Sequence, residues 1–236
     1  MCTVSFVPTS EGVVITSNRD EKTIRLRAIP PQNYTINGKN IIFPKDPKAG
    51  GTWYAITADG TVLVLLNGAA EKHEEQLHYR KSRGLIVLDI ISSASPKDFW
   101  KQIDLENIAP FTLVLFQNKQ LFQLRWNGFE KETTVLSVTE KHIWSSATLY
   151  AAAIRDQRSD WFYRFLEQNP TISASEMLHF HRNTESQNSQ NGLVIDRENG
   201  LKTMSITQSV MQHNKVAILH CDLIAKEDFA TTFITV

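Results

Sequence analysis

The sequence predicts an α+β protein in which stacked β-sheets are covered on the outside by helices. Runs of alternating apolar and polar residues, the period-two signature of half-buried strands, open and close the chain. Two blocks with apolar residues at helical spacing interrupt them. The resulting order of strands, helices, strands, helices and strands lacks the strict alternation of a parallel βαβ winding. The chain has 236 residues and no internal repeat, which fits one β-rich domain over residues 1–236.

Taken in order, Thr3 to Val7 and Gly12 to Thr16 read as strands, with turn chemistry from Pro8 to Glu11. From Lys22 to Gly51 four prolines interrupt short apolar pieces, so an irregular loop bordering a site is expected. Trp53 to Thr57 and Thr61 to Leu66 flank Ala58-Asp59-Gly60, a hairpin signal, and leave Asn67 at a strand end. Leu85, Leu88 and Ile91 follow helical spacing, and Ser95-Pro96-Lys97-Asp98 reads as cap, first-turn proline and early acid of a second helix. Strands return at Thr112 to Phe116, Leu121 to Trp126 and Thr133 to Val138. A stripe from Tyr150 to Leu166 predicts a third helix, and Ser173-Ala-Ser-Glu176 is a capping box for a fourth. Arg182 to Asn191 has few apolar anchors and reads as a mobile loop. Thr203 to Met211, Lys215 to Cys221 and Phe229 to Val236 alternate as strands.

Composition excludes several functions. Twenty-five basic residues balance twenty-five acidic ones, so no global field attracts nucleic acid. No apolar run approaches the roughly 20 residues that span a bilayer, and the N-terminus does not read as a secretory leader. With two cysteines, one of them at position 2, a cytoplasmic protein without a structural disulfide is expected. Nothing in the sequence sets an oligomeric state. His179 and His181 stand two residues apart on a predicted helix and point in divergent directions, so no metal is expected. Gly50-Gly51 lacks the context of a phosphate loop, and the tryptophans are dispersed, so no cofactor is expected either. Cys221, in an apolar strand, reads as a small buried hydrophobe.

Cys2 is the first residue that points to chemistry. If Met1 is removed, one residue carries both a thiol of pKa about 8.5 and an α-amine of pKa about 7.7–8.0, so the amine can accept the thiol proton. The second feature is the polar run Asn18-Arg19-Asp20-Glu21, expected just after the second strand. Together with Gly50-Gly51-Thr52-Trp53, Gly60 and Leu66-Asn67, this run resembles the NRDE family in order and approximate spacing. Trp144 to Leu149 and Lys202 to Thr207 look like later segments of the same family, so the resemblance covers the whole chain. The family includes the transport-and-Golgi-organisation proteins and is similar to N-terminal cysteine hydrolases such as bile salt hydrolase and penicillin V acylase.

The resemblance implies a four-layer αββα N-terminal nucleophile hydrolase-like sandwich. It implies Cys2 as nucleophile, Arg19 beside the thiol, Asp20 near the α-amine and Asn67 as oxyanion donor, with Asn18, Trp53 and Ser146 lining the site. A guanidinium near sulfur favours thiolate, and a carboxylate near the amine orients it as base. For Asn67 a turn role remains equally open, because Asn-Gly is a common turn pair. Ser146 stands where the family usually has asparagine. Two functions follow: hydrolysis of a small-molecule non-peptide amide, or binding and trafficking of a small hydrophobic ligand such as haem without turnover.

Overall fold

The computed structural model describes residues 3–10, 12–74 and 76–235. Two antiparallel sheets lie face to face. The first contains β1 (Thr3–Thr9), β2 (Gly12–Lys22), β10 (His142–Ser145), β11 (Leu201–Gln212), β12 (Lys215–Asp222) and β13 (Glu227–Ile234), ordered β10-β1-β2-β11-β12-β13. The second contains β3 (Ile29–Ile36), β4 (Lys39–Lys45), β5 (Tyr54–Thr57), β6 (Val62–Asn67), β7 (Phe111–Gln117), β8 (Gln120–Trp126) and β9 (Lys131–Leu136), joined in sequence order. Helices α1 (Arg83–Ile91) and α2 (Pro96–Gln102) cover the second sheet, and α3 (Ala152–Gln168) and α4 (Ala174–Asn183) cover the first. This is the four-layer αββα sandwich that the resemblance implies.

Strand pleating builds the layers. Along β1, Val4 and Phe6 join the apolar core between the sheets, whereas Val7 points the other way into the cluster formed by Phe162 and Leu166 of α3 and Met177 and Phe180 of α4. β2 divides in the same way, with Ile15 inward and Val14 toward the helices. Tyr54 ties the sheets together: its hydroxyl donates to the Ile15 carbonyl at 2.9 Å and meets Ser209 Oγ at 2.6 Å. The caps follow the sequence signals. Ser95 accepts from the Asp98 N–H, and Ser173 and Glu176 form the reciprocal capping box.

Three expectations need correction. The stretch from Lys22 to Gly51 is no irregular loop, because β3 and β4 form a hairpin within it. Its turn is Asn37-Gly38, both with positive φ (51° and 75°). Pro30 and Pro31 are tolerated because β3 is an edge strand whose register shifts between Ile29 and Gln32. Next, Asn18 to Glu21 do not follow the second strand; they belong to β2, which runs to Lys22 between β1 and β11. Finally, Arg182 to Asn191 is not loop throughout, because Arg182 and Asn183 end α4, and the stretch is tied down at its far end. Arg158 of α3 donates to the carbonyls of Asn191 at 3.2 Å and Gly192 at 2.5 Å, and Leu193 and Ile195 just beyond are fully buried.

Candidate functional site

The polar motif on β2 serves two faces of one sheet. Asn18 points toward α4: its Nδ2 donates to the His181 carbonyl at 3.1 Å and the Leu193 carbonyl at 2.7 Å. With both protons used in that way, its Oδ1 accepts from His181 Nδ1 at 2.5 Å. His181 Nε2 is then the acceptor for the Ser5 hydroxyl at 2.7 Å, which makes the ring neutral and Nδ1-protonated. Burial first, then the nearby Arg158, lowers the His181 pKa from 6.5 to about 3. His179, two residues away, is exposed.

Asp20 is buried on the helix side as well. Its carboxylate accepts from the Tyr150 hydroxyl at 2.7 Å and from the Thr203 hydroxyl at 2.5 Å. Thr203 comes opposite Asp20 because the β2–β11 register shifts between Thr203 and Ser205. Tyr150 is held in turn by Arg158, whose guanidinium carbon lies 3.5 Å from the ring centroid while its Nη1 donates to Thr3 Oγ1 at 2.6 Å. Arg158 and Tyr150 were not among the residues singled out from the sequence, since an arginine on a helix reads as a surface residue and Tyr150 as part of an apolar stripe.

Arg19 projects the other way, into the space between the sheets. It is 3% exposed. Its Nη2 pairs with Asp46 Oδ2 at 3.2 Å, and its guanidinium carbon stacks 4.5 Å from the Trp53 ring centroid. Arg19 Nη1 and Trp53 Nε1 are buried and have no hydrogen-bond partner among the described residues. Burial lowers the Arg19 pKa, while Glu21 and Asp46 pull it back up; it remains charged. Asp46, from the loop after β4, was also missed.

Arg19, Trp53 and Asn67 line one cavity of 120 Å³, closed on one side by Gly51 and Gly84. Those two glycines let the loop after β4 touch the start of α1: a Cβ on Gly51 would come within 2.4 Å of the Gly84 backbone. Asn67 is the last residue of β6, opposite Phe111, and no hairpin follows it. Its backbone carbonyl accepts from Ser146 Oγ at 2.7 Å. Ser146 is buried, and its single hydroxyl proton is committed to that carbonyl.

His220 sits near the same site, with its ring centroid 6.3 Å from that of Trp53 and its Nδ1 2.8 Å from Thr207 Oγ1. Burial is the main cause that lowers its pKa from 6.5 to about 4. Cys221 is buried, and its thiol is pushed up to about 12, so it is inert as a nucleophile near neutrality. Cys2 lies outside the described residues. The first described residue, Thr3, pairs with Asn18, so the strand pair runs directly into the segment that carries Arg19 and Asp20. Among the described residues no group of three or more His, Cys, Asp or Glu is arranged to hold a metal ion, and no helix is long and apolar enough to cross a membrane.

A family model described as Transport and Golgi organisation 2 matches residues 1–236. Compared by sequence with curated proteins, the chain finds no match. Among solved structures it is similar to a Caenorhabditis elegans N-acylethanolamine-hydrolyzing acid amidase ortholog, with a TM-score of 0.63 and 10% identity over 89% of this chain and 92% of that one. It is also similar to a mutant of the conjugated bile acid hydrolase from Clostridium perfringens, with a TM-score of 0.60 and 8% identity over 99% of this chain and 96% of that one. At these identities the likeness shows the fold, that of the N-terminal nucleophile hydrolases.

Proposed function

The chain belongs to the Transport and Golgi organisation 2 family, and from that membership we propose that it is an N-terminal cysteine amidohydrolase acting on a small-molecule, non-peptide amide. One observation carries this reading. Arg19, buried with no Nη1 partner among the described residues, shares a cavity with Asn67, and Asp20 is the next residue on the same strand. A buried guanidinium donor without an acceptor is costly, and a thiolate beside it would remove that cost.

In this mechanism removal of Met1 exposes the Cys2 α-amine. The amine takes the thiol proton, and the sulfur attacks the amide carbonyl carbon. The carbonyl oxygen becomes an oxyanion that accepts from the Asn67 side-chain amide. As the carbon–nitrogen bond breaks, the ammonium returns the proton to the leaving amine and a thioester remains. The amine then takes a proton from water, hydroxide adds to the thioester carbonyl, and the acid product leaves as the thiol is restored. Asp20, held by Tyr150 and Thr203, orients the amine. The structural neighbours, an N-acylethanolamine-hydrolyzing acid amidase ortholog and a conjugated bile acid hydrolase, support a hydrolase reading.

Ser146 favours a second reading, a binding or trafficking protein that keeps the fold without turnover. Its hydroxyl proton is used on the Asn67 carbonyl, so it supplies no second donor to an oxyanion. The two readings part on one experiment. Protein from its native host is weighed intact, then screened against amide-containing metabolites with Cys2→Ala and Asn67→Ala as controls. The hydrolase reading expects loss of Met1, no turnover in Cys2→Ala, and kcat/KM lower by roughly 10²–10³ in Asn67→Ala with little change in melting temperature. Stoichiometric retention of Met1 would sink the Cys2 mechanism and leave the binding reading.

A further inference from the structure

On the inner face of the second sheet, Leu66, Thr112, Arg125 and Glu132 form a row of register partners across β6, β7, β8 and β9. Beside this row, next to β10 and the first turns of α3, lies a cavity of 260 Å³. Arg125 and Arg155 both line it, together with the hydroxyl residues Thr112, Ser145 and Ser159. The Nε atoms of Arg125 and Arg155 are each buried with no hydrogen-bond partner among the described residues. No salt bridge among the described residues includes either arginine. Arg155 Nη1 donates to the Ala70 carbonyl at 2.7 Å, which fixes its guanidinium against the wall.

Two guanidiniums turned to one cavity is an unfavourable arrangement for an empty protein. Burial lowers the Arg125 pKa; Glu132 pulls it up, and Arg155 pushes it down by like-charge repulsion. Helix α3 adds to the same positive field, since it starts with no side-chain cap and no acidic residue in its first turn. The lining carboxylate, Asp156, and the row's Glu132 are both exposed, and neither forms an ion pair with either arginine. An anion in the cavity would face both guanidiniums and neutralise a positive charge that no ion pair among the described residues offsets.

We propose that this cavity is an oxyanion-binding site that takes the carboxylate or phosphate end of a small ligand between Arg125 and Arg155. Leu66 and Gly68 line it, while Asn67, the residue between them, lines the cavity that holds Arg19. The anion therefore binds on the other side of the β6 end from Arg19, and its binding needs no chemistry at Cys2. Its volume, near the lower end of the roughly 300–1,000 Å³ usual for small-molecule sites, suits one anionic group rather than a whole large ligand.

The test is calorimetric titration of the purified protein with inorganic phosphate and, separately, with acetate, at constant ionic strength balanced by chloride. Saturable binding is expected, weakened about tenfold by Arg125→Gln and by Arg155→Gln. Arg125→Lys, which keeps the charge and loses the planar fork, should fall between. Arg164→Gln, at an exposed position of α3 outside both cavities, should bind as the parent does. Tighter binding of phosphate assigns a phosphate ligand, and tighter binding of acetate a carboxylate. Cys2→Ala is expected to retain affinity, so absence of amide turnover would leave this site standing. No saturable binding of either anion, or binding that survives both glutamine substitutions in protein with a native circular dichroism spectrum, overturns it. Should Arg125→Gln fail to fold, Arg155→Gln on the first turns of α3 decides the matter alone.

Discussion

Asn18 and Arg19 are adjacent in sequence, yet strand pleating sends their side chains to opposite faces of the same sheet. Asn18 uses three hydrogen-bonding sites at once, and its partners lie 163 and 175 residues away in the chain. That is why its role was not legible from sequence, where it was expected to line the site with Arg19. Its geometry makes it a tie between β2, α4 and the segment after α4. Replacing Asn18 by leucine removes two donors and one acceptor and leaves the carbonyls of His181 and Leu193 unpaired. At about 1 kcal/mol net for each bond, Asn18→Leu should lower stability by roughly 3 kcal/mol. Urea unfolding monitored by circular dichroism measures it, and a loss below about 1 kcal/mol would show that these bonds are readily replaced by water.

Elements whose signals are local were the legible ones. The capping box at Ser173, the Ser95-Pro96 helix start and the Asp59-Gly60 turn all act within a few residues, and each stands where its signal put it. The Asn37-Gly38 hairpin also carried a local signal, but the surrounding prolines argued for a loop because sequence does not reveal which strand becomes an edge. β2 was cut short for another reason. A central strand packed on both faces need not alternate, and from Thr16 to Asp20 it buries five polar or charged residues in succession. The segment after α4 depends on Arg158, which is fully buried and spends its guanidinium on Thr3, Asn191 and Gly192. Arg158→Met should free that segment, lowering global stability by about 3 kcal/mol or more, since bonds to charged groups contribute ~1.5–3 each. Limited proteolysis should then cut first between residues 184 and 200; unchanged cleavage there would mean that burial of Leu193 and Ile195 suffices to hold it.

For the molecule as a whole, the order of elements disclosed the layered fold, whereas the pairing of β10 with β1 and of β11 with β2 joins segments more than a hundred residues apart and left no local trace. One consequence of bringing them together is that two histidines are buried neutral, on opposite faces of the first sheet. His181 is held at about 3 by burial and by Arg158, and His220 at about 4, where burial and Arg19 outweigh Asp222 and Asp228. The ordinary value in an unfolded chain is 6.5. Below that pH the unfolded state takes up protons that the folded state refuses. Stability is therefore full above 6.5 and falls as the pH drops toward 4, by up to about 1.4 kcal/mol per pH unit for each histidine. The carboxylates with lowered pKa, Asp59 and Asp222 among them, contribute in a lower window, below their ordinary 3.8. Urea midpoints at intervals from about pH 7.5 to 4.5 should thus decline with a slope approaching two protons. His220→Gln should remove one of them. A midpoint that holds steady across this range in the parent protein would mean that neither imidazole is held neutral in the fold, and the Ser5 bond would have to reverse, with His181 Nε2 donating to Ser5 Oγ.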